Sequence, residues 1–148
     1  MVQYFTKEGL QKLKDELKIL KTRDIPETKK LIAEARAFGD LKENAAYHDA
    51  RDKMAFLMGR AEQLDGAINE AVVKEKSNEN KIELGSVVKI DFGGEVQEYE
   101  IAAPTAADIL KNKISYQSPL GKELMNKKVG DAFKFGPKDI KIKVLEIR

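Results

Sequence analysis

The chain is predicted to be an α+β protein: an antiparallel helical hairpin followed by a small mixed α+β domain. Three observations carry that expectation. Apolar residues recur at steps of three and four from Leu10 to Ala71, and short β-branched or alternating runs replace that spacing from Ser86 onward. A polar run, KEKSNENK at 74–81, lies between the two patterns and reads as a linker, dividing the chain into domains 1–75 and 76–148.

The first half is taken in order. Thr6 is a plausible N-cap, and Leu10, Leu13, Leu17 and Leu20 follow at helical spacing. Pro26 cannot sit inside a regular helix without losing a hydrogen bond and clashing with the preceding turn, so a kink or restart is expected at 24–26. Thr28, Leu31, Ala35 and Phe38 resume the spacing, and Gly39 ends it. Tyr47, Ala50, Met54, Leu57, Ala61, Leu64, Ile68 and Ala71 then form an alanine-rich coiled-coil seam. The short break forces the two helices to pair antiparallel. A helix over 41–73 would be about 45–50 Å long, a stalk rather than a globule.

In the second half, SVVKIDF and VQEYEIA flank Gly93-Gly94 as a β-hairpin. KISYQ and KIKVLEIR are further strand candidates, SPLGKELM is a short helix opened by Ser118 and Pro119, and KKVGD is a turn. Residues 102–108 carry no clear pattern.

Composition bounds the function. The chain has 148 residues, 42% hydrophobic and 35% charged, with a net charge of only +2. That balance argues against a simple basic surface for nucleic acid. The absence of cysteine excludes disulfides and thiolate metal sites and fits a reducing cytoplasm. The opening MVQYFTKEG lacks the apolar run of a signal peptide, and no stretch approaches the roughly 20 apolar residues of a membrane span. A soluble cytoplasmic protein is expected.

The break between the helices, GDLKENAAY at 39–47, is the candidate site. Asp40 lies where an N-cap belongs and Glu43 three residues later, so the pair mimics a capping box. A second reading is compatible with the first. Two carboxylates on one short loop are too few to hold a hard cation such as Mg²⁺, yet they can complete a site whose other ligands come from a partner. Arg36 and Arg51 flank the break and can meet a phosphate or an acidic partner, or form solvated ion pairs. His48, the only histidine, is expected to face solvent, and Tyr47 to pack in the seam. No serine–histidine–acid set, glycine-rich phosphate loop or metal-spacing histidine pair is present, so an autonomous active site is not expected.

EARAFGDLKENAAYHDAR at 34–51 resembles the tip of the Gre transcript cleavage factors. YFTKEGLQKLKDEL, LGSVVKI and ISYQSPLGKELMNKKVGD are similar to the Gre opening, the first strand of the Gre second domain and the segment before its glycine-aspartate turn. The resemblance implies an N-terminal antiparallel coiled coil and a C-terminal FKBP-like domain that docks on bacterial RNA polymerase. The coiled coil would enter the secondary channel and stimulate cleavage of the 3′ end of backtracked nascent RNA. The chain would not be an enzyme itself. By match to the Gre tip, Asp40 and Glu43 would be the acting acids, holding Mg²⁺ only jointly with the polymerase. Arg36 and Arg51 would contact the transcript or the channel, and Ser118 and Pro119 fall in the docking region. Three places depart from the family pattern: Ala46 stands where glutamate is usual, IAAPTAAD at 101–108 replaces a Val-Gly and Glu-Ala-Asp pattern, and Asn126 replaces a glycine. Two other readings stay open. A Gre-related regulator could occupy the channel and inhibit transcription without cleavage. A prolyl isomerase is suggested only by the FKBP-like half, which has few aromatics to line a proline pocket (Phe92, Tyr99, Tyr116, Phe133, Phe135).

Overall fold

The structure is a computed structural model and describes residues 2–40, 42–77 and 79–148. Met1, Leu41 and Asn78 lie outside the described residues; with them go the expected helix start at Leu41 and one position of the linker. The chain forms two compact units, Gln11–Asn69 and the stretch up to Leu10 together with Glu70–Arg148. The opening residues thus belong in space with the second half, although the division expected at 75/76 follows chain order.

The helical unit takes in most of α1 (Lys7–Ile19), a π-turn (Leu20–Asp24), α2 (Ile25–Arg36) and α3 (Ala45–Asn69). Thr6 opens α1 as expected, its hydroxyl oxygen accepting from the Gly9 amide at 2.9 Å. The irregularity at Pro26 is a π-turn followed by the restart of α2, with Pro26 in its first turn. Proline has no amide to give the carbonyl four residues back, and its ring crowds that carbonyl, so the widened turn absorbs both faults. Across the unit, the Arg60 guanidinium grips Glu16 with two hydrogen bonds of 2.8 and 3.0 Å.

The contact stripe differs from the expected one at four residues. Leu31 is 46% and Phe38 81% exposed; Thr28 and Ala35 are buried, with Ile32 half-buried between them. The steps after the π-turn therefore run four then three, and α2 ends before Phe38 is reached. On α3, Ala67 is buried and Ile68 only partly so. Ala71 leaves the seam altogether, because α3 ends at Asn69 and Ala71–Val73 becomes strand β2. At 25 residues α3 is about 37 Å long, shorter than expected.

The other unit has a two-stranded parallel sheet, β1 (Gln3–Phe5) against β2 (Ala71–Val73). Its main sheet runs β5-β4-β3-β7-β6. Here β3 is Val87–Phe92, β4 Glu95–Ala102, β5 Lys113–Ser115, β6 Ala132–Phe135 and β7 Ile140–Ile147. The β3–β4 hairpin turns at Gly93-Gly94 as expected, both glycines at positive φ (59° and 101°), which a tight two-residue turn demands. A short helix, α4 (Pro119–Leu124), packs with the sheet; Leu124 joins Ile82, Val88, Ile90, Ile101, Ile142 and Val144 in a closed apolar core. Strands β1, β2 and β6 were not expected. The unassigned stretch after β4 contains a 3-10 turn, Pro104–Ala106, held by the buried Gln3 side chain, which accepts from the Thr105 amide and hydroxyl at 3.0 and 2.7 Å. Asn126, the departure from glycine, has φ of 68°. That is the left-handed region, which asparagine tolerates better than most other side chains.

Candidate functional site

The turn of the helical hairpin is built by capping chemistry, with Asn44 rather than Asp40 as the cap of α3. The Asn44 side-chain oxygen accepts from the Tyr47 amide at 3.0 Å, the bond an N-cap makes to the third helical residue. Its amide nitrogen donates to the Ala35 carbonyl of α2 at 2.6 Å. The expected capping box of Asp40 and Glu43 is therefore not formed. Asp40 instead closes a local turn, one carboxylate oxygen accepting from the Lys42 amide at 3.0 Å. Gly39, at φ of 113°, lets the chain leave α2 in a conformation that L side chains rarely adopt.

This arrangement leaves both acids in solvent. Asp40 and Glu43 are exposed, on one loop, and neither carboxylate pairs with a cation among the described residues. Nor does any group of three or more histidine, cysteine or acidic side chains among the described residues come together to hold a metal ion.

Arg36 and Arg51 are brought together. Tyr47 lies between α2 and α3 with 6% of its surface exposed, and the two guanidinium carbons sit 5.7 and 5.8 Å from its ring centroid. Arg51 also donates to the Tyr47 hydroxyl at 3.1 Å. Cation–π contact and a shared phenol replace the solvated ion pairs that the sequence allowed. The Arg51 hydrogen bond, followed by the influence of Arg36, holds the Tyr47 phenol below its ordinary pKa. His48 is exposed, as expected, but not idle. Its ring stacks on Tyr47 at 7° with centroids 5.6 Å apart, and its Nε2 lies 3.2 Å from the Lys42 carbonyl oxygen. The site is thus a ring of small devices: two free acids on a braced loop, with two cations shared over one tyrosine beside it.

Ser118 and Pro119 lie in the other unit. The Ser118 hydroxyl accepts from the Gly121 amide at 3.0 Å and donates to the Ser115 carbonyl at 2.7 Å, so it caps α4 as its sequence position suggested. Pro119 is exposed in the first turn. Asn44 is the residue that reading the sequence missed. The signal was present, since an asparagine directly precedes the Ala-Ala-Tyr start of the seam, but Asp40 offered a competing cap four residues earlier.

Comparison with known proteins agrees with this architecture. Residues 3–73 match the family profile described as transcription elongation factor, N-terminal, and residues 76–148 match that described as transcription elongation factor, GreA/GreB, C-term. Transcription elongation factor GreA of Thermoanaerobacter pseudethanolicus is 42% identical over 149 residues, covering 97% of this chain and 95% of that protein. GreA of Thermodesulfovibrio yellowstonii is 45% identical over 130 residues, covering 85% of this chain and 82% of the relative. A solved structure of the transcription factor Gfh1 superposes with a TM-score of 0.50 at 28% identity, covering 100% of this chain and 98% of that one. A hairpin of helices joined to a small curled-sheet unit is the build of a transcription elongation factor. The chain belongs to the GreA/GreB family.

Proposed function

We propose that this elongation factor stimulates Mg²⁺-dependent cleavage of the 3′ end of backtracked RNA by bacterial RNA polymerase, reaching the active centre through the secondary channel with the turn of its helical hairpin. The observation that carries this reading is the pair of solvent-facing carboxylates, Asp40 and Glu43, on a braced loop. Free carboxylate oxygens are the ligands that Mg²⁺ takes, so the donor set fits, and two of them are too few to retain the ion without a partner. Asp40 and Glu43 would together supply ligands to an ion held mainly by the polymerase. When bound there, Mg²⁺ supplies the polarisation that makes water a nucleophile and steadies the leaving oxygen. The chain's own work is to place oxygen donors, and one carboxylate can also orient or deprotonate the attacking water. Arg36 and Arg51, whose charge is not neutralised by a carboxylate among the described residues, would meet RNA phosphate or an acidic wall of the channel.

The test is direct. The protein is added to a halted elongation complex with Mg²⁺, and RNA length is followed. Shortening from the 3′ end is expected. Blocked synthesis without shortening would replace this reading with a channel-occupying inhibitor.

A further inference from the structure

We propose that Asn44 and His48 are positioning residues, which fix where the two acids of the hairpin turn stand. The proposal rests on the cleavage reading above. Asp40 and Glu43 are exposed and so are not held by packing. An unbraced loop would spread their oxygens over many positions, and ordering it on a partner would cost backbone entropy.

The bracing is traceable atom by atom. One side-chain amide spans both helices: the Asn44 nitrogen donates to the Ala35 carbonyl at the end of α2, and the Asn44 oxygen accepts from the Tyr47 amide in the first turn of α3. Residue 44 cannot shift without losing one of these bonds. Two residues earlier, the Lys42 carbonyl lies 3.2 Å from His48 Nε2. A carbonyl can only accept, so the contact is a hydrogen bond in the tautomer that carries the proton on Nε2. The imidazole is itself steadied by its stack on the buried Tyr47 ring. Glu43 therefore sits between two anchored neighbours. The first acid joins the same chain of contacts, since Asp40 accepts from the Lys42 amide whose residue His48 holds. Neither Asn44 nor His48 is needed as a ligand; they act through the carboxylates. Placement at this level matters, because a misplacement of about 1 Å at a reacting centre costs on the order of 100-fold in rate.

Two variants separate bracing from capping. Asn44→Ser keeps a hydroxyl able to cap α3 but is too short to reach Ala35. His48→Phe keeps a ring to stack on Tyr47 and removes the donor. Each full-length variant is compared with the wild type in three measurements: RNA shortening in halted complexes at saturating protein, competition for polymerase binding, and amide order parameters of Lys42 and Glu43 in the free protein by NMR. Cleavage is expected to fall by about ten-fold or more with polymerase affinity held within about two-fold. The two amides lose order while helical circular dichroism stays unchanged. Wild-type cleavage rates in both variants would overturn the proposal. So would lost cleavage with Lys42 and Glu43 as ordered as before. A wild-type protein that shortens no RNA would instead bring down the function itself, and the positioning role with it.

Discussion

The hairpin turn and the sheet core solve opposite problems. Around Ile90 the side chains of Val88, Ile101, Leu124, Ile142 and Val144 are almost wholly removed from water, and shape follows from close packing. Around Asp40 almost nothing is buried, and the backbone is shaped by single hydrogen bonds: an asparagine clasp, an aspartate turn, a histidine brace and one positive-φ glycine. The difference teaches where stability and chemistry reside. A core tolerates no vacancy but offers no reactive group to a partner. A turn held by a few polar contacts can keep two carboxylates in water, where another molecule can use them. Substitutions in the two places should therefore separate cleanly into losses of folding and losses of function.

The largest effect is expected at the turn, and it should be invisible to a stability measurement. Asp40→Ala and Glu43→Ala should each lower stimulated RNA cleavage by about 100-fold or more, the scale seen when a preorganised electrostatic partner is removed. Unfolding free energy should change by no more than about 0.5 kcal/mol, as for exposed positions without a cap or core role. Because Asn44 and not Asp40 caps α3, the cost of about 0.5–2 kcal/mol that belongs to a lost N-cap should appear in Asn44→Ala. A large stability loss in Asp40→Ala would break the contrast.

The core should show the reverse. Ile90 is fully buried in the centre of the sheet, and Ile90→Ala removes apolar volume that its rigid neighbours cannot refill. A loss of about 2–5 kcal/mol is expected, read from the urea midpoint at constant slope. A cost below about 1 kcal/mol would mean that the sheet relaxes around the gap and that its packing does not set its shape.

The same contrast explains what could be read from the sequence. The β3–β4 hairpin was legible because Gly93-Gly94 supplies the positive φ a tight turn requires, and α4 because Ser118-Pro119 is a complete helix start. The seam was legible from Tyr47 to Leu64, where packing against α2 and the π-turn imposes a helical period. Its end was not, because whether Ala71–Val73 continues a helix or becomes a strand is decided by pairing with Gln3–Phe5, some seventy residues away in the chain. Leu31 and Phe38 misled for local reasons: between the buried Thr28 and Ala35 it is Ile32 and not Leu31 that turns inward, and α2 ends at Arg36, before Phe38 is reached. At the site, the acids and the arginines were legible as residue types in a helix break. The clasp was not, since Asn44 reaches a carbonyl nine residues back whose position only the folded hairpin defines.

A smaller effect is expected at Ser118. Its hydroxyl is half-buried and satisfies both the Gly121 amide and the Ser115 carbonyl, so Ser118→Ala should cost about 1 kcal/mol in urea unfolding. Ser118→Thr should restore much of it, since threonine is also a competent cap. Were Ser118→Ala neutral in stability yet weaker in polymerase binding, Ser118 would belong with the residues of the turn, selected for contact rather than for folding.

The smallest effect is one of pH. The Tyr47 phenol is held below its ordinary value of about 10 by the Arg51 hydrogen bond first and by Arg36 second. The folded value is therefore lower than the unfolded one. In the alkaline window between them the unfolded chain binds more protons, so stability contributed by this tyrosine rises with pH. It is fully present above the unfolded value, is lost as pH falls through the folded value, and is absent at neutrality. Ultraviolet titration of tyrosinate, taken as the difference between the wild type and Tyr47→Phe, should show Tyr47 ionising before an unperturbed phenol. Arg51→Gln, which removes the guanidinium charge and its hydrogen bond, should move that ionisation back up. An unmoved titration in Arg51→Gln would mean that the Arg51 guanidinium does not act on the phenol, and that this polar contact of the turn is too loose to set an ionisation.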